Sequence, residues 1–494
     1  MTASASNAME STAPSEFISI IPWDFAREHL VLSHGTDADG CEQLWVADGT
    51  PWFVLHNIGV RLNRPVATET VDAAFLAQRI DDMYRVSGAD TLISLDERSE
   101  SDGLELVIED SERDLLSTGT KGDVAKYVDA LLFDALSRNA SDIHLQPTAE
   151  QSLVRYRIDG VLVTVRTLMR SNADAIVSRV KVLAELDIAE QRLPQDGRIS
   201  VSIGRRGASG RSVDLRISTL PSSHGERVVI RLLDNERDAG LQTFEKLGMP
   251  IELESQYKDA AGRSNGIVLV TGPTGSGKST TLYTTLRWIS SNRPGSNIMT
   301  IEDPIEFDLL DPGISVSQTQ VNTRKGMTFP RGLRHILRQD PDVVMIGEIR
   351  DTETARIAIQ ASLTGHLVFS TLHTNDAASA ITRLIDLGIE RYLVSASLSC
   401  VLAQRLVRRL HQACSGNGCP ECLESGYRGR VGLFELLTVS QRMRDLISGE
   451  AQEQAIRADA LENGMTTLLD IGKQLVQSGI TDEVELARVV QGAA

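Results

Sequence analysis

The sequence predicts an α/β protein of several domains, the largest of which is a parallel sheet covered by helices. From residue 266 onwards, short apolar runs of strand length alternate with helical segments, which is typical of parallel strands with crossover helices. Residues 153–233 contain strand patterns in which polar and apolar residues alternate, which indicates a sheet with one buried and one solvated face. A chain of 494 residues is too long for one ordinary core, and its length favours about three domains.

The predicted parts follow from shifts in composition along the chain. Small polar residues dominate the start, and charged stretches separate the segments that carry strand or helix patterns. The parts are a disordered tail (1–15), a small α+β domain (16–107), a linker (108–122), a second α+β domain (123–235), a second linker (236–265) and the α/β domain (266–494).

Two local expectations belong to this division. In the small domain, residues 52–57 (WFVLHN) are predicted as a strand because they are rich in aromatic and apolar residues. After about residue 376 the pattern predicts mainly helices, interrupted by a cysteine-containing insertion at 411–422 and continuing to a helical C-terminus.

Composition excludes several classes of protein. The net charge of −17 argues against nucleic acid as the main partner, because neutralising phosphates requires a surplus of Lys and Arg. No apolar run approaches the roughly 18 residues of a membrane span, and the first residues do not have the pattern of a signal peptide. The five cysteines are not arranged as a disulfide framework. We therefore expect a cytoplasmic protein that reaches a membrane only through partners.

The strongest single motif is GPTGSGKST, which follows the apolar strand 266–271. Its glycines free backbone N–H groups to surround phosphate oxygens, and the helix after it presents its positive end to the same anion. Lys278 is expected to reach the β- and γ-phosphates of a nucleotide, and Ser279 to hold Mg²⁺. The predicted ATP-binding residues are Gly272, Pro273, Thr274, Gly275, Ser276, Gly277, Lys278, Ser279 and Thr280.

Acidic residues end two further strands of the predicted parallel sheet. Glu348 follows strand 343–346, where it is expected to orient or deprotonate a water molecule beside the phosphates. Gly347 occupies the position of the usual Mg²⁺-binding Asp, so the acids at the end of strand 298–302 are expected to assist. These acids are Glu302 and Glu306. The alternative for either acidic strand end is a surface turn or a charge at a helix N-terminus.

Histidine and arginine residues complete the predicted catalytic set. His373 lies at the exit of strand 367–372, where an imidazole can sense a γ-phosphate. Arginines 155, 157, 216, 227 and 231 follow the polar positions of the second domain's strands. Such arginines are usually on a solvated face, but one or two are expected to face phosphate.

The last motif combines His411-x-x-Cys414 with Cys419-x-x-Cys422. Three thiolates and one imidazole suit tetrahedral Zn²⁺. The two pairs are separated by only four residues, which is short for a zinc ribbon, so a reduced or degenerate loop is the alternative.

Four motifs in one order, GPTGSGKST, TIEDPIEF, RQDPDVVMIGEIRD and TGHLVFSTLHTNDA, resemble the secretion and pilus motor ATPases. The similarity is greatest to the assembly ATPase of the type II secretion system. It extends through SDIHLQP, RYRIDG, LAELDIAEQRLPQDGRI and RISTLPSSHGERVVIRLL to RGRVGLFELL, and so covers about 120–440. The opening IPWDFAREHLVL is more weakly similar to the start of the type II N-terminal domain.

This resemblance implies a homohexamer with an N-terminal docking domain, a PAS-like middle domain and a RecA-like ATPase domain. It implies ATP hydrolysis with Mg²⁺, coupled to a platform protein of the inner membrane, and Zn²⁺ where the family has two CxxC pairs. The implied roles are Walker A for Lys278 and Ser279, Asp box for Glu302 and Glu306, Walker B for Glu348, His box for His373, and phosphate contact for Arg216 and Arg231.

Three alternatives to a type II secretion motor stay open at this point. A type IV pilus extension motor uses the same machinery. A nucleic-acid translocase shares the P-loop core but is disfavoured by the acidic composition. A catalytically dead scaffold is disfavoured because each catalytic position of the motifs is filled.

Overall fold

The computed structural model describes residues 17, 21, 23–37, 40–62, 64–80, 83, 105–108, 120–204, 211–233, 243–309, 315–449 and 451–490. The predicted tail at 1–15 lies outside these residues, as do 109–119 of the first predicted linker and 236–242 of the second. The described strands form three sheets that follow one another along the chain. Among the described residues, every helix is too short or too polar to cross a bilayer.

The first sheet consists of three short strands. Strand β1 (Val31–Thr36) pairs antiparallel with β2 (Glu42–Val46), which pairs parallel with β3 (Val66–Thr70). Helices α1 (Trp23–His29) and α2 (Trp52–Leu62) pack with this sheet around one small hydrophobic cluster.

The prediction of a strand at 52–57 is wrong, since these residues begin helix α2. The buried residues Val54, Ile58 and Leu62 recur at every fourth position, which is a helical spacing. Aromatic and β-branched residues at the start of the segment favoured a strand, but the periodicity over its full length does not.

The second sheet has seven strands in the order β4-β8-β9-β10-β5-β6-β7, and neighbouring strands are antiparallel. Helices α3 (Thr120–Ser137) and α4 (Arg170–Leu183) share one hydrophobic cluster with these strands. The strands are β4 (Glu105–Ile108), β5 (Ala140–Pro147), β6 (Gln151–Ile158), β7 (Val161–Met169), β8 (Gln195–Gly204), β9 (Arg211–Ser222) and β10 (Gly225–Leu233).

The start of the second sheet differs from the predicted division of the chain. Strand β4 lies at the predicted end of the small domain but pairs with β8 of the second sheet. Helix α3 begins at Thr120, inside the predicted linker 108–122.

The third sheet has seven strands in the order β13-β12-β14-β15-β11-β16-β17, and all of them run parallel except β17, which lies antiparallel at one edge. The strands are β11 (Gly266–Thr271), β12 (Ile298–Glu302), β13 (Val316–Gln320), β14 (Val343–Ile346), β15 (Leu367–Leu372), β16 (Leu398–Leu410) and β17 (Tyr427–Thr438).

Helices cover both faces of this sheet. Along β11, Ile267 and Leu269 belong to one hydrophobic cluster, whereas Val268 and Val270 belong to another, so both faces of the strand are buried. The helices are α5 (Ile251–Ala261), α6 (Lys278–Asn292), α7 (Phe329–Ile336), α8 (Thr352–Leu363), α9 (Ala377–Asp386), α10 (Arg391–Ser397), α11 (Gln441–Ser448), α12 (Glu453–Glu462), α13 (Leu468–Gln477) and α14 (Glu483–Val490).

The prediction of mainly helical structure after residue 376 is wrong for two long segments. Strands β16 and β17 form a wide antiparallel pair that extends the sheet beside β11. The first eight residues of β16 are buried, and such a run cannot be distinguished from a buried helix by its periodicity. Helices do form the C-terminal part, from α11 onwards.

The second predicted linker, 236–265, contains helix α5. Tyr257 and Ala261 on this helix are fully buried, and Tyr257 donates to or accepts from Thr285 of α6 at 3.0 Å. These residues are therefore part of the core of the third sheet rather than only a connection.

Candidate active site

The P-loop joins the C-terminal end of β11 to helix α6. Gly272, Gly275 and Gly277 have φ values of +148°, +79° and +86°, which favour glycine. A Cβ atom on Gly277 would lie 2.8 Å from the side-chain nitrogen of Gln404, so a larger residue does not fit where the loop enters the helix. The motif therefore forms the tight loop before a helix N-terminus that phosphate binding requires.

Lys278 is the first residue of α6 and is buried. Its Nζ atom donates hydrogen bonds to the carbonyl oxygens of Gly272 at 2.8 Å and Pro273 at 2.9 Å. Burial lowers the pKa of Lys278 to about 8, and the nearby Glu348 carboxylate opposes this effect. The ammonium group is thus held inside the loop, with a carboxylate close to it.

Ser276 and Ser279 differ in their surroundings. The Ser276 hydroxyl is buried and makes no hydrogen bond to any of the residues that the structure describes. An unpaired buried hydroxyl beside a lysine fits a site whose ligand carries hydrogen-bond acceptors, such as phosphate oxygens. Ser279, the predicted Mg²⁺ ligand, is exposed on the first turn of the helix.

Glu348 and His373 lie at neighbouring strand ends, because β14 pairs in parallel with β15. Oε2 of Glu348 is 3.1 Å from Nε2 of His373, and Oε1 is 2.5 Å from a guanidinium nitrogen of Arg350. The carboxylate is largely shielded, with 13% of its side chain exposed, whereas the imidazole is 46% exposed. The structure therefore brings Lys278, Glu348 and His373 to one edge of the sheet, as the strand pattern predicts.

Residues 302–306, which we call the acidic loop, leave β12 beside Gly347. A Cβ atom on Gly347 would lie 3.4 Å from the Cα atom of Glu302. The hydrogen bond that Arg350 donates to the Glu348 carboxylate raises the pKa of Arg350, and the nearby Asp303 carboxylate adds to this effect. The acidic loop thus begins next to the predicted catalytic carboxylate.

The Glu302 side chain does not emerge at the phosphate edge, which differs from the expectation. It is buried, and its carboxylate accepts hydrogen bonds from the hydroxyl of Tyr283, from Thr300 at 2.5 Å and from Gln318 at 3.2 Å. Side chains 298, 300 and 302 point to the face of the sheet that α6 covers, because residues alternate along a strand. Burial raises the pKa of Glu302. Glu306, by contrast, is exposed.

Three arginines of the second sheet form a row, which we call the arginine row. Arg198 of β8 is in register with Arg216 of β9, which is in register with Arg231 of β10. They line a cleft of about 430 Å³. Arg231 pairs with Asp142 at 3.0 Å. Leu215 and Ile217, which flank Arg216 along β9, belong to the cluster shared with α3 and α4, so the row lies on the opposite face of the sheet.

Arg216 connects this row to the third sheet. A guanidinium nitrogen lies 3.5 Å from the carbonyl oxygen of Ile305 in the acidic loop. Burial and the neighbouring Arg198 lower the pKa of Arg216, while Glu306 opposes them. Of the two arginines predicted to face phosphate, Arg216 therefore contacts the acidic loop directly. Arg198 is not among the arginines expected from the sequence to face phosphate, and only the strand register places it in the row.

Two further residues behind the P-loop were missed because strand β16 was not predicted. Gln404 accepts a hydrogen bond from Thr281 at 2.7 Å and lies against Gly277. Arg405 donates to the main-chain and side-chain oxygens of Asn375, both at 3.1 Å. Together they support the loop and the segment that follows His373.

The cysteine-containing insertion brings all four predicted ligands together. The candidate ligand atoms of His411, Cys414, Cys419 and Cys422 lie within 4.8 Å of one another. Nδ1 of His411 is 3.6 Å from the Cys414 sulfur and 3.4 Å from the Cys419 sulfur. The Cys422 sulfur is 3.9 Å from that of Cys414 and 3.7 Å from that of Cys419. The set is compatible with one tetrahedral metal ion.

The short spacing between the two pairs is accommodated by the backbone. Two 3₁₀ turns carry Cys414 and Cys422, and Ser415, Gly416 and Gly418 have positive φ values of 50°, 81° and 90°. These left-handed residues reverse the chain tightly, so that four intervening residues are enough.

Comparison with known proteins identifies the family. Residues 118–488 match the family model of the type II/IV secretion system proteins. The chain belongs to this family. A Pseudomonas aeruginosa relative named type II secretion system protein HxcR is 44% identical over 490 residues, covering 96% of this chain and 100% of its own length. A Vibrio cholerae relative named type II secretion system ATPase E is 49% identical over 403 residues, covering 76% of this chain and 77% of its own length.

Solved structures of secretion and pilus ATPases share the fold. The pilus retraction motor PilT with bound ADP is 29% identical, covers 72% of this chain and 95% of its own, and superposes with a TM-score of 0.51. The Legionella pneumophila ATPase DotB, at 24% identity, covers 74% of this chain and 96% of its own, with a TM-score of 0.57, and shows the fold alone. These findings confirm the predicted RecA-like α/β fold and the resemblance to type II assembly ATPases. The protein is a secretion ATPase that uses ATP.

Proposed function

We propose that this secretion ATPase is a homohexameric motor that couples ATP hydrolysis to pseudopilus assembly and protein export by a type II secretion system. The observation that carries the proposal is the convergence of Lys278, Glu348 and His373 at one sheet edge, with Arg216 of another sheet reaching the acidic loop beside them. Separate sheets that complete one site can move relative to each other when that site changes.

The roles of the residues follow from their geometry. The P-loop amides and Lys278 bind the phosphates of ATP, and Glu348 orients the attacking water and receives its proton. His373 hydrogen-bonds to Glu348 and holds its carboxylate in place. Arg216 and Arg231 approach the γ-phosphate when the second and third sheets close, and they lose this contact when the phosphate leaves.

Ser279 is proposed to hold Mg²⁺, which neutralises phosphate charge when it is bound. Its exposed hydroxyl follows the P-loop lysine on the first turn of α6, which is the position that this ligand takes in P-loop proteins.

Zn²⁺ is proposed for His411, Cys414, Cys419 and Cys422. Two sulfur atoms that bind zinc at about 2.3 Å in a tetrahedron are separated by about 3.8 Å. The observed sulfur pairs lie at 3.7 and 3.9 Å, so the ligands need little movement to close around the ion. Bound zinc would crosslink the two ends of the insertion that connects β16 to β17. Metal analysis of the purified protein tests this, and His411→Ala should lower the zinc content from one equivalent.

The type II system is favoured over type IV pilus extension by the full-length similarity to proteins named for type II secretion. We propose that the small N-terminal domain docks on the cytoplasmic domain of an inner-membrane platform protein, and so places the motor at the membrane. No role for nucleic acid is proposed, given the net charge of −17.

The test is complementation of a strain that lacks this ATPase. Lys278→Ala and Glu348→Gln are each expected to abolish secretion while the purified protein keeps its unfolding temperature. Glu348→Gln should retain ATP binding, because the carboxylate acts on water rather than on the P-loop. A folded Glu348→Gln protein with full ATPase activity would refute the assignment.

A further inference from the structure

Tyr283 lies on the P-loop helix, five residues after Lys278, and its side chain is 1% exposed. Its ring packs edge-on against Phe307, with centroids 4.4 Å apart. This packing alone would suit a phenylalanine. The hydroxyl group is therefore the part of Tyr283 that needs a separate explanation.

The hydroxyl group makes two hydrogen bonds, both to the acidic loop. It donates to the carboxylate of Glu302 at the start of the loop. It also accepts from the main-chain N–H of Glu306 at the end of the loop, at 3.3 Å. One buried atom on the helix thus ties both ends of residues 302–306.

Gln318 of β13 ties the segment that follows. Its amide group donates to Glu302 at 3.2 Å and to the carbonyl oxygen of Phe307 at 3.3 Å, and its side-chain oxygen accepts from Leu309 N–H at 2.7 Å. The Glu302 carboxylate is therefore the centre of a buried polar network. Such a network sets one conformation, because leaving any member unpaired in the interior is costly.

The acidic loop connects the helix to two parts of the active site. It starts beside Gly347, next to Glu348, and its Ile305 carbonyl receives Arg216 from the second sheet. The position of the acidic loop therefore determines both the position of Glu306 and the point at which Arg216 contacts the third sheet.

We propose that Tyr283 is a positioning residue of this ATPase, whose hydroxyl group holds the acidic loop against the P-loop helix so that Glu306 and Arg216 meet the nucleotide site. The proposal rests on the proposed function. Within it, Glu302 serves as the buried acceptor that anchors the loop, and Glu306 is its exposed acid.

The experiment uses the full chain and compares Tyr283→Phe with the matched control Tyr257→Phe. Tyr257 is also buried in the same hydrophobic cluster, and its hydroxyl group shares one hydrogen bond with Thr285 of α6, at 3.0 Å, rather than any with the acidic loop. Both variants lose one buried hydroxyl group and keep their rings, so both unfolding temperatures should fall, and that of Tyr283→Phe should fall further because two hydrogen bonds are lost rather than one.

Two measurements separate positioning from packing. Amide hydrogen exchange of the peptide that covers 303–309 should become at least about tenfold faster in Tyr283→Phe and stay unchanged in Tyr257→Phe. In steady-state hydrolysis, Tyr283→Phe should lower kcat by about tenfold or more, with KM for ATP within about twofold of wild type, because misplaced groups affect the chemical step more than binding. Tyr257→Phe should leave both constants within about twofold.

The inference is overturned if exchange in 303–309 is the same in the two variants, or if their kcat values agree. If Tyr283→Phe does not fold, Gln318→Met is the second variant, because Gln318 is the other side chain that holds residues 302–309. The same changes in amide exchange and in kcat are then expected, and their absence would overturn the proposal. Failure of the proposed function shows separately, as equal hydrolysis by wild type and Lys278→Ala.

Discussion

Burial holds the pKa of Lys278 below its usual range, so ATP binding should weaken just above neutrality. Burial lowers its pKa from 10.5 to about 8 in the nucleotide-free protein. Raising the pH removes the proton and with it the charge that attracts phosphate. The charged fraction is about 91% at pH 7 and about 9% at pH 9, so kcat/KM for ATP should fall roughly tenfold between these values.

The assay is the initial rate of phosphate release at ATP concentrations far below KM, because kcat/KM reports ionisations of the free enzyme. At saturating ATP the bound phosphates favour the ammonium form and raise its pKa, so kcat should stay flat to about pH 9. Between pH 8 and 10.5 the unfolded chain binds the proton more tightly than the folded protein at this site. The contribution of Lys278 therefore increases the free energy of unfolding as the pH rises, and this residue does not cause alkaline unfolding in this range. A kcat/KM that is constant from pH 7 to 9.5, in protein shown by circular dichroism to be folded, would refute the reasoning.

Three further predictions concern single residues. Gly277→Ala should abolish binding of a fluorescent ATP analogue, because φ is +86° and the side-chain nitrogen of Gln404 would lie 2.8 Å from the added Cβ. The control Gly295→Ala, at φ +93° in open space, should bind the analogue normally, and equal affinities of the two variants would contradict the prediction. Burial alone would raise the pKa of Glu485, but the hydrogen bonds from Arg488 and Arg408 outweigh it and lower the pKa to about 2. Glu485 therefore contributes stability that is present above about pH 4.5 and lost as the pH falls towards 2. Glu485→Gln should therefore lower the unfolding free energy in urea by about 3 kcal/mol at pH 7, and a difference that persists at pH 2.5 would argue against charge as the cause. Asp159→Ala removes the hydrogen bond of 2.7 Å from Gly429 N–H that joins the second sheet to the third. The variant should be cleaved faster by proteases between these sheets, and an unchanged cleavage rate would show that this contact does not hold the sheets together.

Much of the active site follows from local sequence because P-loop geometry depends on glycines at fixed positions. Strand ends are also predictable where strands are apolar and parallel, since their carboxyl ends meet at one edge of the sheet. This reasoning predicts Glu348 and His373 at the same edge of the sheet, and the structure sets them 3.1 Å apart.

Glu302 shows where the same reasoning fails. It was expected at the phosphate edge because it ends a strand, but being the last residue of a strand does not say which face the side chain takes. The alternation along β12 turns Glu302 towards α6, where Tyr283 binds it. The helical prediction for the segment of strand β16 was wrong for a related reason. A run of residues that is buried on both sides has no periodicity that distinguishes a strand from a helix.

The amino-acid sequence alone therefore predicted the phosphate-binding loop, the parallel sheet around it and the family of ATPases to which this protein belongs. It could not place the arginine row or the Tyr283 hydroxyl group against the acidic loop. These groups are distant in sequence or depend on strand register, so their proximity arises only when separate segments of the chain pack together.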